Sequence, residues 1–118
     1  MKYLCLVYLD ESRMDETSDG ECLAYDAAIR KSGHCLASEA LQSVQTATTV
    51  RVRNGKVSVT DGPFAETKEQ LAGFYLVEAK DLNEAIQLAG RIPPASVGSI
   101  EVRPVRPIRE SPRPEPAR

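Results

Sequence analysis

The sequence predicts an α+β domain, and three observations predict it. Residues 2–9 (KYLCLVYL) form a nearly continuous apolar run, as in a strand buried on both faces. Ser18-x-x-Glu21 and Asp81-x-x-Glu84 each match a capping box, in which side chains satisfy the orphan N–H groups of a helix start. Asn54-Gly55 separates two stretches of alternating apolar and polar residues, the strongest short-range hairpin signal. The implied order is strand, helix, strand, hairpin, strand, helix, strand. With the hairpin set aside this is βαββαβ, a ferredoxin-like arrangement with an inserted β-hairpin.

Each element follows in turn. Lys2 to Leu9 reads as a central strand, and Asp10 to Ser18 as a polar connection. Cys22, Tyr25 or Asp26, Ile29 and Gly33 fall at helical spacing, with Leu23, Ala27 and Ala28 widening the apolar face and Gly33 as a left-handed cap. Residues 34–41 alternate loosely, as a second strand would. In the hairpin, Thr48, Val50 and Val52 alternate with Thr49, Arg51 and Arg53, and Val57 and Val59 with Lys56, Ser58 and Thr60. One face is apolar and the other basic, so one side should meet solvent or a partner. Gly73 to Ala79 is a third core strand; Leu82, Ala85, Ile86, Leu88 and Ala89 give a short amphipathic helix ended by Pro93-Pro94; Gly98 to Val102 is the last strand. Two helices cover one face of a four-stranded antiparallel sheet. A second copy packed sheet to sheet is the simplest cover for the other, so a homodimer is expected.

Composition bounds the function. A chain of 118 residues suits one domain with a real core. A net charge of −2 leaves no footprint for nucleic acid or an anionic membrane, so neither is expected as a direct partner. Cys5, Cys22 and Cys35 are odd in number and widely spaced without a CxxC, which suits core packing in a reducing cytoplasm rather than disulfides or a metal site. The opening apolar run is too short for a signal peptide or a membrane span, so a cytoplasmic location is expected. Five of the eight prolines and five arginines fall in residues 103–118, so residues 1–105 are expected to form the domain and 106–118 an extended or disordered tail.

The chain is organised around residues 57–79, VSVTDGPFAETKEQLAGFYLVEA. Here a turn, Asp61-Gly62-Pro63-Phe64, leads into a short polar stretch carrying two carboxylates, a threonine and a lysine. The plain reading is a tight turn, a first-turn cap and a short solvated helix. The functional reading is a site, because Phe64 is an aromatic in a turn and needs something to bury it.

The segments MKYLCLVYLDE, AYDAAIRKSGHCLASEALQ and ATTVRVRNGKVSVTDGPFAETKEQLAGFYLVEAKDLNEAIQLAGRIPPASVGSIEVRPV together resemble the YCII-related family in its DGPF-motif branch. The resemblance spans nearly everything from Met1 to Val105. It implies a ferredoxin-like dimeric α+β barrel. It also implies either small-molecule chemistry with a histidine–aspartate pair, as in the wider superfamily, or an accessory role linked to sigma-factor-dependent transcription. The motif residues that match are Asp61, Gly62, Pro63, Phe64, Glu66, Thr67, Lys68, Glu69 and Gly73. The family's helical histidine falls at Cys22 here, and His34 is the chain's one histidine.

The candidate catalytic pair is therefore His34 with Asp61, with Glu39 as an alternative orienting carboxylate; Tyr75 or Lys68 would polarise a substrate oxygen. Phe64, Thr67, Lys68, Glu69 and Tyr75 are the candidate ligand-binding residues, for a small polar molecule in a cleft near the DGPF turn. The plainer reading of His34 is a capped surface residue. No cofactor or metal is expected, since no phosphate-binding glycine loop, ligand cluster or nucleophile elbow appears.

Overall fold

A computed structural model describes residues 1–108. The four-stranded antiparallel sheet forms from β1 (Lys2–Leu9), β2 (Cys35–Ala40), β5 (Gln70–Glu78) and β6 (Ser99–Pro104), in the order β2-β5-β1-β6. Helices α1 (Asp19–Lys31) and α2 (Leu82–Ala89) supply the two crossovers, and β3 (Thr48–Arg53) with β4 (Lys56–Asp61) forms a separate two-stranded ribbon. This is the α+β, ferredoxin-like arrangement with an inserted hairpin. Of the tail expected over residues 106–118, all beyond 108 lies outside the described residues.

β1 pairs with β5 on one side and β6 on the other, as its unbroken apolar run requires of a central strand. Its alternate residues Tyr3, Cys5, Val7 and Leu9 are all buried. Tyr3, Cys5 and Val7 meet Val77 of β5, Ile29 of α1 and Ala85, Leu88 and Ala89 of α2 in a single core. Burying a large apolar side chain is worth about 1.5–3 kcal/mol, so this one strand supplies much of the driving force for folding. All three cysteines are free thiols; Cys5 is in this core, and Cys22 and Cys35 are half-buried.

Both predicted caps form. The Ser18 hydroxyl accepts from the Glu21 N–H at 3.1 Å, and an Asp81 oxygen accepts from the Glu84 N–H at 2.9 Å. The return bond of a full capping box forms at neither cap residue among the described residues; Glu84 accepts instead from the N–H of Lys80 (3.0 Å). Such a cap is worth about 1 kcal/mol. Helix α1 ends at Ser32, and Gly33 turns the chain at φ 82°. The ribbon turn has positive φ at both Asn54 (52°) and Gly55 (74°), as the hairpin reading requires.

Three local expectations differ from what forms. The polar connection after β1 winds into a 3-10 turn over Glu11–Glu16, with the Asp10 carboxylate accepting from the Ser12 N–H. The plain reading of the central stretch included a short helix, but residues 62–69 bend without one. Thr67 instead ties the loop down: its hydroxyl donates to the Glu69 carbonyl (2.5 Å), and its carbonyl accepts from the Gln70 side chain (2.6 Å). β5 consequently begins at Gln70, three residues before the expected start.

Where β6 begins, Gly98 lies hard against β1. A Cβ built at Gly98 would stand 2.2 Å from the Tyr8 carbonyl oxygen and 3.3 Å from the Leu9 Cα. Backbone cannot yield there as a flexible side chain would. Gly98→Ala is expected to cost roughly 3 kcal/mol, the upper end for overpacking. Gly90→Ala, at an ordinary helical φ of −65° with its nearest neighbour at 3.4 Å, is expected instead to stabilise by about 0.4–1 kcal/mol. Urea denaturation of the two variants checks both signs.

Candidate functional site

The predicted site residues do not converge on one place. His34 follows Gly33 at the entrance to β2, where its Nδ1 lies 2.9 Å from the Glu78 carbonyl oxygen at the C-terminal end of β5. That carbonyl can only accept, so Nδ1 carries the proton and the ring is held as a donor. The Glu84 carboxylate stands 3.9 Å from the same nitrogen. Asp61 ends β4, opposite Thr48 at the base of the ribbon, and the connection from it enters β5 at the opposite end, at Gln70. A nine-residue strand is about 30 Å long. Among the described residues no hydrogen bond or ion pair joins His34 to Asp61, and the Asp61 side chain makes neither with any group.

The residues after Asp61 divide into anchors and exposed groups. Gly62 takes a φ of 103°, open to glycine alone, so the chain turns rather than extending into Pro63. Its N–H donates to the Ala47 carbonyl (2.7 Å) and its carbonyl accepts from the Thr49 hydroxyl (2.8 Å), which pinches the ribbon shut at its base. The Glu69 carboxylate accepts from the Ser99 hydroxyl at 2.8 Å, holding the loop to β6. Thr67 and Glu69 are thus engaged within the chain. Lys68 is exposed, and its charge helps hold the Asp10 carboxyl low, behind the hydrogen bonds from Ser12. Phe64, which the sequence expects to be covered, is 79% exposed.

Of these candidates Tyr75 and Glu39 line a substantial cleft, about 540 Å³ in volume, between α1 and the strands β2 and β5. Its walls include Thr17, Cys22, Asp26, Arg30 and Ser38. His34 lines a different cleft of about 360 Å³ between α1 and α2. Tyr75 meets Tyr25 edge to face, with ring centroids 5.4 Å apart at 83°, and the Tyr25 hydroxyl donates to the Leu88 carbonyl at 2.8 Å. These contacts fix the aromatic floor of the larger cleft to both helices.

One wall of this cleft carries a polar cycle that pattern reading missed. Ser38 donates to Asp26 Oδ1 at 2.5 Å, Arg30 Nε donates to Asp26 Oδ2 at 2.9 Å, and Arg30 Nη2 donates to Ser38 Oγ at 2.7 Å. The Ser38 hydrogen bond holds the Asp26 carboxyl below the usual carboxylate range; partial burial opposes it, and Arg30 adds to it. The i, i+4 spacing of Asp26 and Arg30 was a readable helix pair. Nothing in the sequence indicated that Ser38, twelve residues on and across a turn, would complete the cycle.

The remaining groups show what chemistry the cleft permits. Burial, with Asp19 and Glu21 nearby, raises the Cys22 thiol, the opposite of what a nucleophilic cysteine needs. Burial likewise pushes the Tyr75 hydroxyl up to about 12, so it remains a neutral donor. That hydroxyl has no hydrogen-bond partner among the described residues. Thr17 Oγ1 is buried and also unpartnered. The cleft therefore combines a fixed polar wall with two unspent hydroxyls, and its cysteine is raised away from the thiolate. No helix among the described residues is long and apolar enough to cross a membrane.

Because the folded pKa of Asp26 lies below its unfolded value of ~4, its contribution to stability is present above that value and is lost as pH falls through the folded pKa. Ser38→Ala is expected to cost about 1 kcal/mol at pH 7, a deficit relative to the parent that narrows at acid pH as pH falls through the folded pKa of Asp26. Denaturant midpoints at pH 7 and at acid pH check this. An equal deficit at both would mean that the hydrogen bond does not depend on the carboxylate charge.

The chain is 39% identical over 114 residues to an uncharacterised protein of Rhizobium meliloti (strain 1021), an alignment covering 89% of this chain and 92% of the relative. The family model for the YCII-related domain matches residues 1–109, and the chain belongs to the YCII-related family.

Proposed function

We propose that the cleft between α1, β2 and β5 binds a small, uncharged polar molecule that pairs an apolar portion with at least one hydrogen-bond acceptor. The observation that carries this reading is the buried, unpartnered Thr17 hydroxyl in its wall. A buried hydroxyl without a partner costs about 1–3 kcal/mol, and a ligand acceptor would remove that cost. A volume of about 540 Å³ lies in the ordinary range for small-molecule sites. The cleft borders the N-terminal half of β5, the end the DGPF turn leads into. Asp26 and Arg30 largely cancel each other's charge in the wall, and Asp19 and Glu39 leave the lining net acidic, which disfavours an anionic ligand. The Tyr75 hydroxyl would supply the second donor.

Thr17→Val distinguishes a ligand-binding role from a mere packing defect. The methyl group fits the space of the hydroxyl and needs no partner, so the variant is expected to gain about 1 kcal/mol in stability. It is also expected to bind more weakly to small amides, lactones and ketones that shift the Ser38 and Tyr75 amide resonances of the parent in a fragment titration. A titration in which no such compound perturbs these resonances, or in which the shifts gather around His34 instead, would overturn the assignment.

A further inference from the structure

Helix α1 borders two clefts with two different faces. Cys22, Asp26 and Arg30 line the larger one; Tyr25, Ile29 and Ser32 line the smaller, opposite Glu84 and Leu88 of α2. His34 and Arg91 complete this second cleft, whose volume of about 360 Å³ falls at the lower end of the range for small-molecule sites.

The polar groups of the smaller cleft are sorted by sign. His34 and Glu84, beside each other, both present acceptors. The His34 Nδ1 proton is spent on the Glu78 carbonyl at 2.9 Å, so the neutral ring keeps its lone pair on Nε2. Glu84 spends Oε1 on the Lys80 N–H at 3.0 Å, and its other oxygen makes no hydrogen bond among the described residues. The two groups do not satisfy each other, since Glu84 stands 3.9 Å from a nitrogen whose proton is already committed.

Arg91 carries only donors, and its guanidinium makes no hydrogen bond or ion pair among the described residues. Its positive charge acts on the Tyr25 hydroxyl, opposing the rise that burial gives that group. The Tyr25 hydroxyl itself is spent on the Leu88 carbonyl at 2.8 Å. Ile29 and Leu88 are buried and supply an apolar floor. A carboxylate and a guanidinium in one cleft would ordinarily pair. Here they lie about two helical turns apart, roughly 10 Å along the α2 axis, and no ion pair joins them.

We propose that the cleft between α1 and α2 binds a small zwitterion of the ω-amino acid class. Its ammonium donates to the free Glu84 oxygen and to His34 Nε2, its carboxylate accepts from the Arg91 guanidinium, and its methylene chain lies on Ile29 and Leu88. A hydrogen bond of about 3 Å at each end leaves roughly 4–5 Å between the ligand's own charges, the reach of a short methylene chain. An α-amino acid holds its charges too close together to engage both ends. A singly charged compound leaves one end unpaired. This site is independent of the larger cleft and of the uncharged ligand proposed there.

NMR titration of the full chain tests the assignment. His34 is the chain's one histidine, so its ring Cε1–H resonance reports on this cleft without overlap. γ-Aminobutyrate is expected to shift that resonance saturably, and butylamine, butyrate and glycine to bind at least about tenfold more weakly, the loss of one charged hydrogen bond. Glu84→Gln retains an acceptor for the Lys80 N–H, and Arg91→Gln falls beyond the end of α2, so both variants should keep the circular dichroism of the parent. Each is expected to bind γ-aminobutyrate about tenfold more weakly. Absence of a saturable shift at His34, an equal response to butylamine or butyrate, or unchanged binding in both variants would each overturn the site. So would a titration in which γ-aminobutyrate moves the Ser38 and Tyr75 amides and leaves His34 unmoved.

Discussion

The structure depends on β1. Lying between β5 and β6, it is paired along both edges, and its alternate side chains Tyr3, Cys5, Val7 and Leu9 are buried. The two helices, the close approach of Gly98 and the placement of both clefts all follow from where this strand lies. A strand hydrogen-bonded on both sides and packed beneath two helices has little freedom to shift. A one-residue slip would carry every buried side chain to the opposite face.

The resulting molecule has two unlike faces. On one, the helices close a core and leave a cleft along α1, walled by the Asp26–Arg30–Ser38 cycle and floored by Tyr75. On the other, Leu4, Leu6 and Leu76 lie outside the core, and the ribbon projects its valines away from its own chain. Two helices can cover only one side of a four-stranded sheet. The cleft is a product of the covered side.

The DGPF segment acts chiefly as a joint. Gly62 turns at a φ only glycine adopts freely and closes the ribbon on Ala47 and Thr49, while Thr67, Glu69 and Gln70 anchor the return into β5. Its Asp61, Glu66 and Lys68 side chains make no hydrogen bond or ion pair among the described residues, whereas Glu69 reaches Ser99 of β6. The two unspent hydroxyls of the cleft lie outside the turn itself, Thr17 just before α1 and Tyr75 within β5.

What the sequence by itself determined is what short-range rules govern. The central strand, both helix caps, the Asn54-Gly55 turn and the βαββαβ order depend on residues within a few positions of one another, where periodicity and φ preferences act. Only the tertiary structure decided which side chains meet. Ser38 completes the Asp26 cycle because β2 returns beneath α1. His34 meets Glu78, 44 residues away, because β5 runs antiparallel to β2. The cover expected for Phe64 is absent among the described residues for the same reason: burial belongs to the packing of whole elements, and no local pattern states which element will supply it.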